Sequence, residues 1–315
     1  MKLPLVFLTV ALAAASPLFA QDGAAPFTIR ESGQVFATLQ QAVDAIGGGR
    51  GTILIAAGRH RQCAAQKAGD ITFAAAKPGT AIFDGVACED KAALVLGGRS
   101  ATVEGLIFQG IRVNDANGAG IRLEQGALTV RESLFRDSES GIMSANSEAG
   151  GPILVERSTF SGLGRCDRGL SCAHSIYIGE YGGGSLTVRR SRFERGRGGH
   201  YVKTRAPRIE VTDSSFDDTG GSTTNYMIDL STGASGTIAR NVFVQGKNKE
   251  NYSALIAVAG EGRDNPSAGL SVDANDASLA PGMDKPTVFI ADWSGDVTRI
   301  GTNRLGARIG KYEKR

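Results

Sequence analysis

A phenylalanine that closes a short alternating segment recurs along this sequence, and this repeat restricts the fold more than any other feature. The segments are Ala101–Phe108, Leu128–Phe135, Ile153–Phe160, Leu186–Phe193, Ile209–Phe216 and Thr237–Phe243, so successive phenylalanines lie 27, 25, 33, 23 and 27 residues apart. Apolar and polar residues alternate within each segment, which is typical of β-strands. Because one coil cannot bury its inner face alone, this period predicts stacked coils of three short strands each. The 33-residue step is interpreted as a loop inserted into one coil.

The composition is that of a globular protein. Hydrophobic residues make up 41% and charged residues 21% of the chain, and the 43 glycines follow no three-residue period. These values exclude a disordered or a collagen-like chain. A net charge of +3 is too small to indicate nucleic-acid binding by itself.

A helix is predicted ahead of the first coil. Apolar residues stand at positions 36, 39, 43 and 46 of the segment Phe36–Ile46, which is the spacing of one helical face, and Gly47–Gly49 end it. A buried strand and a turn follow over Gly51–Gly58. We expect this helix to cover the open end of the first coil, as terminal caps of solenoids do.

The chain resembles the right-handed parallel β-helix proteins of the pectin-lyase-like superfamily in three features: the helix, the segment Gly47–Gly58 and the coils that end in Ser-x-Phe. The stretches Ala173–Gly179 and Gly199–Ala206 are similar to an exported bacterial group within it. The resemblance covers most of residues 27–300. It implies an all-β, right-handed parallel β-helix (a solenoid) with a short N-terminal capping helix. The superfamily contains lyases, hydrolases, epimerases, adhesins and phage tailspikes, so it implies little about function.

The first residues are typical of a secretory signal peptide. Lys2 is followed by an apolar run that is too short to span a bilayer, and Ala20 is a small residue at the expected cleavage site. We therefore expect a signal peptide over residues 1–20, a β-helix domain over 21–300 and a basic C-terminal tail over 301–315. No later apolar run has transmembrane length, so we expect a protein exported to the periplasm or the extracellular medium.

Export makes the four cysteines candidates for two disulfides, with three connectivities open. Cys63 and Cys88 are 25 residues apart, which is one coil, and Cys166 and Cys172 belong to one loop. We favour the pairs 63–88 and 166–172. A zinc site is the weaker alternative, because paired C-x-x-C units are missing.

Two rows of residues share one spacing in three successive coils. His174, His200 and Tyr226 are separated by 26 and 26 residues, and so are Tyr177, Lys203 and Asp229. Equal offsets place residues above one another, about 4.8 Å apart, in a stack of parallel strands. The parity of the neighbouring apolar residues predicts that the second row points outward. Arg122 and Met143 fall on this row in earlier coils, and Arg205 lies next along from Lys203.

Two interpretations of these rows stay open. In one, Lys203 pairs with Asp229 as a structural ladder and the histidines stack at a corner. In the other, the outer face is a polysaccharide site that performs β-elimination on a uronic acid. There, His200 or Lys203 would be the base and Tyr177 the acid. Arg205 or Arg122 would hold the substrate carboxylate, and Asp229 would orient Lys203. The candidate catalytic residues are His174, Tyr177, His200, Lys203, Arg205 and Asp229.

A basic segment suggests an anionic ligand. Residues 189–208 contain eight cations and one anion, Glu194. Arg195 and Arg197 from this segment, together with Arg122 from the outward row, are the candidates for substrate binding. A solvated basic face is the alternative. Nucleic acid is disfavoured by export and by the few aromatic residues nearby.

These observations predict a monomeric, exported protein that binds an acidic polysaccharide and, in the extended form of the hypothesis, cleaves it. Glycoside hydrolysis needs two facing carboxylates, and the outward row supplies only Asp229, so a lyase ranks above a hydrolase. We expect no cofactor and no metal site, because the sequence contains no recognisable ligand motif for either. The alternative from another class is a non-catalytic envelope or surface protein that binds polysaccharide or a partner chain.

Overall fold

The computed structural model describes residues 25–297 and 299–315. The predicted signal peptide lies outside this range. In the described part of the chain, three parallel sheets run along the molecule and contain 12, 10 and 10 strands. Each coil contributes one strand to each sheet in turn, which is the architecture of a parallel β-helix.

The first sheet contains two antiparallel terminal strands followed by parallel ones: Phe27–Ile29, Val35–Phe36, Arg50–Ile55, Asp70–Ala75, Ser100–Glu104, Gly126–Arg131, Gly150–Glu156, Ser185–Arg189, Arg208–Thr212, Ser235–Ala239, Leu270–Asp273 and Arg299–Ile300. The second sheet contains Gly58–His60, Ala81–Asp84, Leu106–Gln109, Leu134–Arg136, Thr159–Ser161, Arg192–Glu194, Ser215–Asp217, Val242–Gln245, Asp276–Leu279 and Arg304–Leu305. The third sheet contains Ala64–Gln66, Ala92–Leu96, Ala119–Leu123, Ser140–Ser144, Ile176–Ile178, Val202–Thr204, Ile228–Leu230, Ala254–Val258, Thr287–Asp292 and Ile309–Lys314.

The phenylalanine repeat forms a ladder in the core. Seven rings from the second sheet stack in consecutive coils with centroids 4.8 to 5.5 Å apart: Phe83, Phe108, Phe135, Phe160, Phe193, Phe216 and Phe243. All of them are buried. Such stacking adds about 0.5–1.5 kcal/mol per pair to the gain from burial. The predicted register of the coils is therefore confirmed.

A second ladder fixes the turn between the first and second sheets. One residue per turn has a left-handed conformation, for example Arg157 with φ 46° and Arg240 with φ 56°. The backbone N–H of the next residue then donates to a side-chain oxygen in the following coil, over 3.0 to 3.2 Å. The side chains that accept these bonds are Ser158, Ser191, Ser214, Asn241, Asn275 and Asn303. They satisfy amides that a turn would otherwise leave unpaired in the interior.

The predicted cap is present as a helix over Leu39–Ile46. It is shorter than the apolar stripe, because Phe36 belongs to a terminal strand and pairs with Phe27. Thr38 forms a capping box with Gln41, and the helix buries Leu39, Ala42 and Val43. In the described part of the chain no helix is long and apolar enough to cross a membrane.

The C-terminal boundary differs from the prediction. Residues 301–315 were expected to form a basic tail, but Arg304–Leu305 and Ile309–Lys314 continue the second and third sheets. Ile309 in this segment is buried, its charged residues are exposed, and the hydroxyl of Tyr312 donates to a carboxylate oxygen of Asp292 over 2.9 Å. The last coil of the β-helix therefore includes residues of the segment that was predicted to be a separate basic tail.

Candidate functional site

The two rows lie on the third sheet in the predicted register. Arg122 pairs with Met143, Met143 with Tyr177, Tyr177 with Lys203, and Lys203 with Asp229. The flanking Ile176, Ile178, Val202, Ile228 and Leu230 are fully buried in the core. The side chains of the row therefore point away from the core, as the parity predicts.

The histidines form an aromatic stack where these strands begin. The rings of His174 and His200 are 4.9 Å apart at an angle of 22°, and the rings of His200 and Tyr226 are 5.5 Å apart at 17°. The backbone N–H of His200 donates to Nδ1 of His174 over 3.0 Å. This bond requires an unprotonated Nδ1 on His174, so it favours the neutral ring.

Burial keeps both histidines neutral. It is the main cause that lowers the pKa of His200 to about 3, and the positive charge of Lys203 acts in the same direction. Burial also lowers the pKa of His174 well below its ordinary value, with His200 and Lys203 adding to the effect. Nδ1 of His200 is buried without a hydrogen-bond partner in the described structure. Its Nε2 lies 3.5 Å from Oδ2 of Asp229.

Four charged groups, which we call the ion cluster, lie beside this stack: Lys203, Arg205, Asp229 and Glu261. Nζ of Lys203 lies 2.8 Å from Oδ2 of Asp229, and Glu261 forms ion pairs with both Lys203 and Arg205. The prediction had placed the Lys203–Asp229 pair on an exposed sheet. Both side chains are instead nearly buried, with 8% and 5% of their surface exposed, because they lie under Glu261 and beside the stack.

The carboxylates hold the two cations in their charged forms. Burial on its own would lower the pKa of Lys203, but Asp229 and Glu261 outweigh it and raise that pKa above its ordinary value. The pKa of Arg205 is raised as well, because Tyr177 and Glu261 outweigh its burial. Nε of Arg205 donates to the hydroxyl of Tyr177 over 3.4 Å. At neutral pH Lys203 is therefore a positive charge and a hydrogen-bond donor, not a base.

Glu261 is not among the site residues that the repeat predicts. It belongs to the segment 259–269, which leads from the third sheet back to the first. It lies four residues beyond Ala257, which continues the row from Asp229. A regular register therefore contains no signal for it.

The three arginines proposed to bind substrate are not part of the ion cluster. Arg122 lies 3.4 Å from Glu124. Arg195 donates to Oγ of Ser161, and Arg197 forms an ion pair with Asp137 over 2.6 Å.

The predicted basic face is not formed. A segment of about 20 residues encircles the solenoid, so its cations are distributed over all three sheets and their turns. Arg189 and Arg190 pair with Glu156, and Arg192 pairs with Glu194.

Both favoured disulfides are present, with Cα atoms 5.4 Å apart for Cys63–Cys88 and 4.4 Å apart for Cys166–Cys172. The first joins consecutive coils next to the cap helix. The second closes the loop that ends immediately before His174. Cys166, Cys172 and Glu250 are close enough to surround an ion, but the two sulfur atoms are bonded to each other and offer no thiolate.

A buried ion pair holds the loop that contains Lys249 beside the histidine stack. Nζ of Lys249 lies 3.2 Å from Oδ2 of Asp218, and neither side chain has any exposed surface. Asp218 also accepts from the hydroxyls of Tyr201 and Thr224 over 2.7 and 2.8 Å. The Lys249 loop therefore has a fixed position at the side of the site where the strands begin.

A cavity of about 820 Å³ opens where the strands of the site end. Its lining combines polar and apolar surface and is formed by Asn146, Ser147, Glu148, Glu180, Tyr181, Gly182, Gly183, Arg205, Pro207, Thr232, Asp264 and Asn265. Arg205 belongs to both the cavity and the ion cluster. The two features therefore form one continuous site.

Comparisons with known proteins agree with this architecture. The family described as "Right handed beta helix region" matches residues 119–276, which is half of the chain. No curated protein sequence matches the chain. The structure of the PL6 family alginate lyase AlyGC is similar, with a TM-score of 0.52 and 15% sequence identity. The similarity covers 84% of this chain but only 36% of that chain, and it shows the fold alone. With its parallel sheets, its phenylalanine ladder and this match, the chain belongs to the right-handed beta helix family.

Proposed function

We propose that this protein binds an acidic polysaccharide along the outer face of the third sheet, with one sugar carboxylate held by Lys203 and Arg205. The observation that carries the proposal is that these two cations already hold a carboxylate, that of Glu261, at the edge of an open cavity. Ionised groups that bind a carboxylate in partly buried sites form strong hydrogen bonds. The name of the similar structure, an alginate lyase, is consistent with this class of ligand.

The charges of the cavity narrow the class of polysaccharide. Glu148, Glu180 and Asp264 line it together with one cation, Arg205. A chain with a carboxylate on every sugar would meet repulsion from these three acids. A polysaccharide in which uronic acids alternate with uncharged sugars avoids most of that repulsion, so it is the better fit.

Binding is tested by titrating the protein with oligosaccharides of equal length. We expect hyaluronan fragments, in which charged and neutral sugars alternate, to bind more tightly than alginate fragments, and a neutral glucan not to bind. Raising the ionic strength from about 0.01 M to 1 M shortens the screening length from ~30 Å to ~3 Å and should weaken binding markedly. Equal affinity for the neutral glucan would refute the proposal.

β-Elimination at this site is a second candidate, and the neutral state of His200 favours it. Lys203 and Arg205 would hold the uronate carboxylate, which stabilises the negative charge that develops at C5. His200 would accept the C5 proton. The C4–O bond would then break and the leaving oxygen would take a proton from the Tyr177 hydroxyl, which leaves an unsaturated sugar. A base whose pKa is about 3 is weak, so we expect slow turnover.

Hydrolysis is less well supported, although Glu261 adds a second carboxylate to Asp229. Both carboxylates accept hydrogen bonds from Lys203, whereas a hydrolase needs one carboxylic acid that donates a proton.

The absorbance of unsaturated uronates distinguishes cleavage by β-elimination from binding alone. We expect His200→Ala to abolish this signal while leaving binding intact. If no acidic polysaccharide gives the signal, the protein is a non-catalytic envelope or surface binder.

We also propose that the protein acts in the periplasm or outside the cell. Its two disulfides are typical of oxidising compartments. Detection of the mature protein in the periplasmic or culture fraction tests this.

A further inference from the structure

The side chain of Glu261 differs from the other members of the ion cluster in its exposure. It is 43% exposed, whereas the side chains of Lys203, Arg205 and Asp229 are 8%, 22% and 5% exposed. Asp229 also accepts from Oγ of Ser231 over 3.0 Å. Asp229 is therefore the fixed counter-ion of the cluster, while Glu261 reaches the same cations from the solvent side.

The backbone around Glu261 does not depend on its carboxylate. The N–H groups of Glu261 and Asn265 donate to the carbonyl oxygens of Ser231 and Thr232 over 2.8 and 3.0 Å. The side-chain amide of Asn265 donates to the carbonyl oxygen of Arg205 over 3.1 Å. The Glu261 side chain can therefore rotate away while the loop keeps its position.

From these contacts we infer that Lys203 and Arg205 form a carboxylate-binding site that Glu261 occupies in the free protein and that a ligand's carboxylate takes over on binding. The inference rests on the proposed function, because it identifies the ligand group that this site receives. The charge balance supports it. Two cations face two anions, so the site is neutral with Glu261 in place and would be neutral again with a ligand carboxylate in its place. A carboxylate matches the planar guanidinium and the ammonium in the same way as the glutamate does.

Occupation of the site by Glu261 should weaken the measured affinity for a ligand carboxylate. The apparent dissociation constant equals the intrinsic one divided by the fraction of molecules whose site is vacant. If Glu261 is in place in about nine of ten molecules, removing it should tighten binding of a carboxylate roughly tenfold. The gain should require both cations.

The test is titration of the full chain with sodium glucuronate, followed by isothermal calorimetry, with glucose as the uncharged control. We expect Glu261→Ala to bind glucuronate roughly tenfold more tightly than the unmodified protein. Asp284→Ala is the matched control, because it removes the same charge from an exposed position outside the cavity lining and no carboxylate from between the cations. Its gain should stay below about twofold, since exposed charges act weakly at a distance. The double variant Glu261→Ala/Arg205→Ala should lose the gain.

The outcomes separate this inference from the proposed function. Equal or weaker binding of glucuronate by Glu261→Ala, or a gain as large with Asp284→Ala, overturns the inference, and so does the absence of glucuronate binding by every variant. If the unmodified protein binds a polysaccharide and Glu261→Ala binds it more weakly, the function stands and the inference fails. If Glu261→Ala gains affinity for glucuronate but no polysaccharide binds, the inference stands and the function fails. Circular dichroism of each variant checks that it is folded.

Discussion

Mild acid should destabilise the coils that form the site, because two of their histidines are held neutral by burial. Burial lowers the pKa of His200 to about 3 and that of His174 well below its ordinary value. An unfolded chain exposes both rings to water, where the pKa of a histidine is about 6.5. Between these pKa values the unfolded state binds protons that the folded state does not. Stability is therefore fully present above about pH 6.5 and is lost as the pH falls below it.

The size of this loss follows from the pKa values. Each unit of pH below 6.5 costs about 1.4 kcal/mol per histidine for as long as the folded form stays neutral. Going from pH 7.5 to pH 5 should therefore lower the free energy of unfolding by about 2 kcal/mol through His200, and His174 adds a loss in the same direction. Any folded-state pKa below about 4 gives nearly the same loss at pH 5.

Urea denaturation followed by circular dichroism at several pH values measures this loss. The window above pH 5 avoids the range in which most carboxylates titrate. His200→Gln is the matched variant, because glutamine fills similar space and does not titrate. We expect His200→Gln to lose about 2 kcal/mol less than the unmodified protein over this window, whatever its stability at pH 7.5. If the two proteins show the same pH dependence, or if the unmodified protein loses almost nothing, the reasoning about the buried neutral rings is wrong.

Three other predictions concern the framework of the site. Asp218→Asn leaves Lys249 buried without its counter-ion and should cost about 3–5 kcal/mol of unfolding free energy, whereas adding Lys249→Met should restore part of the loss; additive effects in urea denaturation would contradict this. Phe160→Ala opens a gap in the phenylalanine ladder and should cost about 3–5 kcal/mol, and a loss below about 1 kcal/mol would show that the ladder contributes little to packing. Replacing Cys63 and Cys88 by serine should cost about 3 kcal/mol, and mass mapping of unreduced peptides should recover the pairs 63–88 and 166–172, with any 63–166 peptide counting against the assigned pairing.

The fold could be predicted from the sequence because a solenoid repeats one local rule. The phenylalanines mark the same inward position in each coil, so their spacing reports the register directly. The same arithmetic placed Tyr177, Lys203 and Asp229 above one another, and the structure pairs them in that order. The prediction failed at the C-terminal coil, because the charge of residues 301–315 indicated a tail, whereas two strands in this segment pair with the preceding strands of the second and third sheets.

The contents of the site were less predictable, because loops do not repeat. Glu261 lies off the row and reaches the cations through a turn whose path no spacing encodes. The burial of Lys203 depends on that turn and on the histidine stack, so it could not be read from the parity of the strand. The basic face was wrong for a related reason, since closeness in sequence within one coil does not mean closeness on one surface.

The ladder of serine and asparagine side chains gives the molecule a direction in which it can be assembled. Each turn's backbone amide finds its acceptor only in the coil that follows, for instance Ser158 in Ser191 and Asn241 in Asn275. If the chain folds from its N-terminus, the turn of the last folded coil always has a backbone amide without its acceptor. In every earlier coil this hydrogen bond is already formed. Loss of the last coil would leave an amide donor unpaired, whereas loss of the first would leave only a side-chain oxygen that water can serve. The two ends of the solenoid are therefore not equivalent, and folding can proceed coil by coil from the N-terminal cap.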